Sequence, residues 1–204
     1  MARCFCWSSY TLPAYLWTVF SFFTAVICPV GLYYSNWLQK VTPEGTYNSL
    51  SPYRLCLNET GQFSTSCQAY FSFDEIYSSE WKAITLLMGI GACCLIFSGV
   101  MSLFGLCIKK LFNVYVTALV VILQCLGVVL FFISIVVFPA GINDHAKHPE
   151  LCGSAAGSYQ LGDCSIGWAY ILTMVGTGTG AVATGLSWTA GRFKEKHRRG
   201  GYTL

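Results

Sequence analysis

The chain has 204 residues, a net charge of +3 and only 10% charged residues, against about 25% in soluble domains. With a mean hydropathy of +0.55, so few charges cannot cover a soluble surface, and the class is integral membrane. No basic stripe is present, which excludes a nucleic-acid partner.

Residues 1–11 hold Arg3, Cys4 and Cys6 and read as a cytosolic N-terminus. The first apolar segment, 12–34, lies inside an interval without charge from Cys4 to Gln39. It exceeds the roughly 20 residues a helix needs to cross ~30 Å of hydrocarbon. It is also too long for the apolar core of a signal peptide, and no clear cleavage site follows, so it reads as a retained helix.

A loop at 35–82 follows. Its "GTYNSLSPYRLCLNE" and "AYFSF" stretches mix aromatic, polar and turn residues without helical period. They predict short strands, with turns at Pro43–Gly45 and Ser51-Pro52. Asp74 and Glu75 read as a short helical lead-in to the next span. Trp37 and Trp81 are expected in the aromatic belt at the membrane interface. Cys56 and Cys67 flank Asn58-Glu59-Thr60, an acceptor pattern for N-linked sugar.

The second span, 83–108, and the third, 112–138, are separated by Lys109-Lys110-Leu111 and form a tight antiparallel hairpin. Gln124 is the main polar residue of the third span and is placed to bond across helices. A second loop at 139–166 carries His145, His148, Cys152 and Cys164. The H-x-x-H-x-x-x-C spacing suggests zinc, but Cys152 has a disulfide partner at hand and no further ligand follows, so no metal is expected.

The fourth span, 167–191, is the least apolar. Gly176, Gly180 and Thr184 place small residues on one helix face, either as a docking face for a partner helix or for packing within the bundle. The segment 192–204 is a basic tail suited to anionic lipid. It ends in Tyr202-Thr203-Leu204, a weak match to a PDZ-type groove.

Orientation follows from Lys and Arg. Eight lie at the ends joined by the tail and the 109–111 turn: Arg3, Lys109, Lys110, Arg192, Lys194, Lys196, Arg198 and Arg199. Four lie in the two loops: Lys40, Arg54, Lys82 and Lys147. Both termini are therefore expected in the cytosol, with both loops outside, where Asn58 can be glycosylated. The outer compartment oxidises thiols. Its four cysteines, Cys56, Cys67, Cys152 and Cys164, allow three pairings, and proximity favours one staple in each loop. Cys4, Cys6 and Cys107 lie near the cytosolic surface and are candidates for S-acylation.

No ionisable side chain sits in the middle of a span, as a pump or ion-coupled transporter would require. No nucleophile–base set or phosphate loop is present, so no catalysis is expected. Membrane lipid and a glycan on Asn58 are the only non-protein groups expected.

Four spans with a long first loop carrying a cysteine pair resemble the claudin-like superfamily. Trp37, Tyr53, Cys56 and Cys67 occupy its first-loop positions, although Tyr53 stands where claudins carry the Trp of a GLW triplet. The stretch "FPAGI" and then "CGSAAGSYQLGDCSIGWAY" at 152–170 resemble the LHFPL tetraspan family more closely. Cys152, Gly153, Tyr159, Gly162, Cys164, Gly167 and Trp168 match its pattern, whereas Phe138 and Ile142 replace the usual Tyr and Trp. The resemblance implies an all-α transmembrane four-helix bundle, left-handed, with a small extracellular β-sheet cap built from loop one. It implies the disulfides Cys56–Cys67 and Cys152–Cys164. It also implies a non-catalytic accessory subunit at the plasma membrane that supports assembly, trafficking, localisation or gating of an ion channel or receptor. Pentameric ligand-gated receptors and the TMC-type mechanotransduction complex with protocadherin are the partners it suggests. The alternative is a claudin-like junctional protein using Glu44, Glu59, Asp74 and Glu75 in its first loop.

Overall fold

The computed structural model describes residues 12–41, 47–58, 65–69, 76, 78–107, 114–143, 152–153 and 156–200. Cys4, Cys6, Pro43–Gly45, Asp74, Glu75, the 109–111 turn, His145, His148 and the last four residues lie outside these.

Four helices form the bundle: α1 (Leu12–Tyr33), α2 (Ser79–Cys107), α3 (Val114–Val137) and α4 (Trp168–Gly200). Each contains a stretch long and apolar enough to span a membrane. A helix satisfies its own backbone where no water is available. The helices form a ring in which α1 packs on α2 and α4, and α3 packs on the same two.

Close crossings hold this ring. Gly91 of α2 faces Gly127 of α3, and a Cβ built on either would press on Phe131 or Leu95. On the α1–α4 seam, Gly176 abuts Cys28 and Ile27, and Gly180 abuts Thr24 and Val128. Thr184 turns its hydroxyl back to the Gly180 carbonyl at 2.9 Å. The small-residue run is therefore used inside the bundle, and Gly176 and Gly180 are closed to a partner helix. On α4 it is Gly178 and Gly185 that meet nothing within 4 Å.

Two helix limits differ from those read in the sequence. α2 begins at Ser79, because the Ser78 hydroxyl accepts the Trp81 N–H at 3.1 Å and caps the helix there. α4 continues to Gly200, through a segment rich in Lys, Arg and Glu, which are good helix formers.

A five-stranded antiparallel sheet caps one end. Its strands are β1 (Leu38–Val41), β2 (Tyr47–Ser51), β3 (Arg54–Asn58), β4 (Thr65–Ala69) and β5 (Ser165–Ile166), ordered β4-β3-β2-β1-β5. The first four come from loop one. The fifth comes from loop two and closes the β1 edge, pairing Leu38 with Ile166. The cap is thus built by both loops, not by the first alone. Leu38, Leu50 and Leu55 stand opposite one another across β1, β2 and β3, and all three are buried.

The glycine contacts yield a paired expectation. Gly176→Leu should overpack the α1–α4 seam and cost about 1–3 kcal/mol, seen as an earlier thermal transition in detergent. Gly178→Leu, facing open space, should remain within about 0.5 kcal/mol of the parent.

Candidate functional site

Trp37 sits where cap meets bundle. It follows α1 by a short turn and is 0% exposed. Its indole N–H donates to the Gly31 carbonyl at 2.8 Å. Its backbone N–H donates to Leu50 in β2, and its carbonyl accepts from Gly167 at 2.8 Å. One residue thereby binds α1, the sheet and the start of α4.

Around this indole lies an aromatic cluster. Phe138 and Tyr170 pack edge-on to Trp37, with centroids at 4.8 and 5.3 Å. Trp81 stacks on Phe138 at 5.5 Å and donates its indole N–H to the Phe138 carbonyl at 3.1 Å. The Tyr170 hydroxyl donates to the Ile135 carbonyl at 3.0 Å. Phe138 belongs to a short 3-10 turn, Phe138–Asn143, which folds the chain after α3 back over Trp81. Trp37 and Trp81 are therefore core residues and not members of a lipid-facing belt. Trp81 is only 4% exposed, and both indole donors are satisfied by carbonyls inside the protein.

The two staples lie on either side of this seat. Cys56 and Cys67 oppose each other in the β3–β4 ladder and are bonded. Cys152 and Cys164 are bonded across the loop that leads into β5. Inside that loop, Asp163 N–H donates to the Cys152 carbonyl at 2.9 Å. Gly162 adopts φ +56°, and a Cβ there would collide with that same carbonyl and with Ala156. Only glycine meets both demands. Tyr159 holds a left-handed φ of 62°, with its N–H on the Pro139 carbonyl at 3.1 Å and its hydroxyl on the Val136 carbonyl at 3.2 Å. Gly167 passes against the Asn36 carbonyl, where a side chain has no room. Gly153, at φ +78°, makes way for the Asp163 carboxylate.

Tyr53 ends the β2–β3 turn and reaches down to α1, donating its hydroxyl to the Tyr33 carbonyl at 2.6 Å. Burial pushes this hydroxyl above its ordinary value; Arg54 opposes the shift and Tyr33 adds to it. The hydroxyl therefore remains a donor at neutral pH. Its contribution to stability is complete below about pH 10, the ordinary tyrosine value, and is lost as pH rises through the raised one.

Not all residues singled out in the sequence join this site. Asn58 lies in β3, at the end of the ladder away from Arg54. Trp168 opens α4 with its ring exposed, packed on Tyr34 at a centroid distance of 4.9 Å. The placement of the Cys107 side chain lies outside the described residues. Sequence spacing gives no sign that Phe138 and Tyr170 are partners of Trp37, because the three segments lie far apart in the chain. Among the described residues no three His, Cys, Asp or Glu side chains group as metal ligands.

Four apolar helices and a disulfide-stapled sheet seated on them define a tetraspan membrane protein. The sequence profile of the lipoma HMGIC fusion partner-like protein family matches residues 13–192. The chain belongs to this family, the LHFPL tetraspan proteins. It is 29% identical over 141 residues to the human LHFPL tetraspan subfamily member 2 protein, covering 67% of this chain and 61% of that protein. It is 29% identical over 171 residues to the human subfamily member 4 protein, covering 79% and 64% respectively. A subfamily member 2a protein of Danio rerio is 29% identical over 105 residues, covering 52% and 46%. The matched region thus spans less than two thirds of the length of these relatives.

The Trp37 seat is open to a direct test. Trp37→Phe keeps a ring but strands the Gly31 carbonyl, at a cost of about 1–3 kcal/mol. Thermal unfolding in detergent should register the loss, and limited proteolysis should cut the cap faster than in the parent.

Proposed function

We propose that this protein is a non-catalytic accessory subunit of an ion channel or receptor complex in the plasma membrane, with both termini in the cytosol and the cap outside. One observation carries the reading. The buried residues of the cap and of the bundle's upper half form one continuous cluster, from Leu55 and Cys152 through Trp37 and Phe138 to Met88 and Leu95. A shared core fixes the cap relative to the helices. Such a body offers a partner two surfaces in constant register, one in lipid and one in water. That is what a subunit needs if it is to read the transmembrane and outer parts of a channel together.

Charge supports the same reading. The described spans carry no acidic or basic residue beyond Glu80 and Lys82 at the cap end of α2. Carriers coupled to ions usually hold such a group at depth. The resemblance to LHFPL proteins points the same way, toward partners of the pentameric ligand-gated or TMC-type classes. Asn58, in a cap placed outside the cell, is the proposed glycan site.

Affinity purification of the tagged full chain in mild detergent, from cells that express it natively, tests this. The expected result is a co-purifying channel or receptor subunit in fixed stoichiometry. Recovery of the chain alone, or of adhesion proteins from apposed cells, would instead favour the claudin-like junctional role.

A further inference from the structure

At the rim of the cap, on the α1–α4 side, lies a partly exposed group of a cation and aromatic rings. The Arg54 guanidinium stands over the Tyr33 ring at 5.1 Å and the Tyr53 ring at 5.5 Å. Among the described residues no carboxylate lies within ion-pair distance of it; the ion pair present joins Lys40 to Asp163. The rings continue from Tyr33 to Tyr34, edge-on at 5.6 Å, and from Tyr34 to Trp168 at 4.9 Å. Tyr33 is 60% exposed, Tyr34 44% and Trp168 45%. These rings are thus open, unlike those around Trp37.

Their depth is fixed by the helices. Tyr33 is the last residue of the first span and Trp168 the first residue of the fourth. Both therefore lie at the boundary where hydrocarbon gives way to headgroups. The hydrogen bond from Tyr53 to the Tyr33 carbonyl pins the β2–β3 turn to that boundary and holds Arg54 there.

We propose that this rim binds the headgroup of a choline phospholipid. The guanidinium presents paired N–H donors that match a phosphate oxygen pair. The half-exposed rings of Tyr34 and Trp168 suit a quaternary ammonium, which binds aromatic rings through their negative faces. A phosphocholine headgroup carries both charges with the phosphate linked to the ammonium, so one zwitterion answers the cation and the rings together. Phosphatidylglycerol offers the phosphate without the ammonium and satisfies only the Arg54 end. The acyl chains would continue down the apolar outer surface of α1 and α4, along exposed residues such as Val30 and Ile171.

Native mass spectrometry of the full chain released from detergent tests the site. The protein is offered equal amounts of dioleoyl phosphatidylcholine and dioleoyl phosphatidylglycerol, and separately soluble phosphocholine. The expected result is one retained phosphatidylcholine in preference to phosphatidylglycerol, with little soluble phosphocholine. Arg54→Gln and Trp168→Leu should each weaken retention about tenfold, equivalent to about 1.4 kcal/mol. Equal retention of the two lipids, undiminished retention by the folded variants, or saturation by soluble phosphocholine would overturn the proposal. Thermal unfolding reports whether each variant is folded. If Arg54→Gln is not, Trp168→Leu, which replaces an exposed ring, decides.

Discussion

The rest of the structure depends on the burial of Trp37. A tryptophan just beyond a membrane span would ordinarily rest among lipid headgroups, where its N–H finds water. Here the chain turns it inward, and the Gly31 carbonyl takes that N–H. Once the indole is inside, its backbone is committed as well. Its N–H begins the contact with β2 and its carbonyl receives the chain entering α4. The cap therefore cannot tilt on the bundle without breaking hydrogen bonds at Trp37.

Two solvents divide the energetics. In lipid, burying one apolar side chain against another gains little, because the tails are equally apolar; close packing and hydrogen bonds must hold helices together. The bundle follows that rule, with Gly91 against Gly127 and Gly176 against Cys28. The cap faces water, so burial of Leu38, Leu50 and Leu55 draws on the hydrophobic effect, at about 1.5–3 kcal/mol for each fully buried side chain. The aromatic cluster of Trp37, Phe138, Trp81 and Tyr170 lies at the junction of the two regimes. Large rings suit that place because they pack densely on both sides and carry a polar atom that can reach a carbonyl. The disulfides reinforce the cap close to this junction: Cys56 lies against the Ser35 hydroxyl at 3.2 Å, and Cys152 and Cys164 belong to the same buried cluster as Trp37.

The four helices were legible in the sequence because lipid demands long apolar runs, and no tertiary contact can override that. The strands of loop one were legible in outline from turn residues and the lack of helical period. What escaped depends on contacts distant in the chain. Nothing local tells a buried tryptophan from an interfacial one, so Trp37 and Trp81 read as belt residues until Phe138 and Gly31 are in place. The repeat of Gly176, Gly180 and Thr184 signals a close approach but not which helix approaches, and the answer is α1. Strand β5 is only two residues long, below any pattern that alternation can reveal. The motif glycines of loop two take their reason from distant contacts such as that of Gly162 with the Cys152 carbonyl. Ser78 was the one local signal within reach, a serine just before the apolar run, and it sets the true start of α2.

The opposite end of the bundle repeats the logic of Trp37 with a different outcome. Trp17 of α1 donates its indole N–H to Gln124 Oε1 of α3 at 2.9 Å, and Ser21 donates to the same oxygen at 3.2 Å. These helices are not neighbours in the ring, so this is a tie across its diagonal. An indole can only donate, which fixes the amide with its oxygen toward α1 and its nitrogen away. That nitrogen, Nε2, is buried without a partner among the described residues. Several short hydroxyls of the bundle behave differently: Ser98, Ser102, Ser134 and Thr173 each return to a carbonyl three or four residues back on their own helix, whereas Thr24 and Thr179 meet across the α1–α4 seam at 3.2 Å. Among the described residues, Gln124 alone leaves a buried side-chain donor unpaired, and it does so in making a connection that spans the bundle. Because an unpaired buried group costs stability, the gain lies in position: α1 and α3 can satisfy the indole at one axial offset. With Trp37 fixing the cap end and Trp17 the other, α1 is held in register at both ends, and it is from the last residues of α1 that the cap is hung.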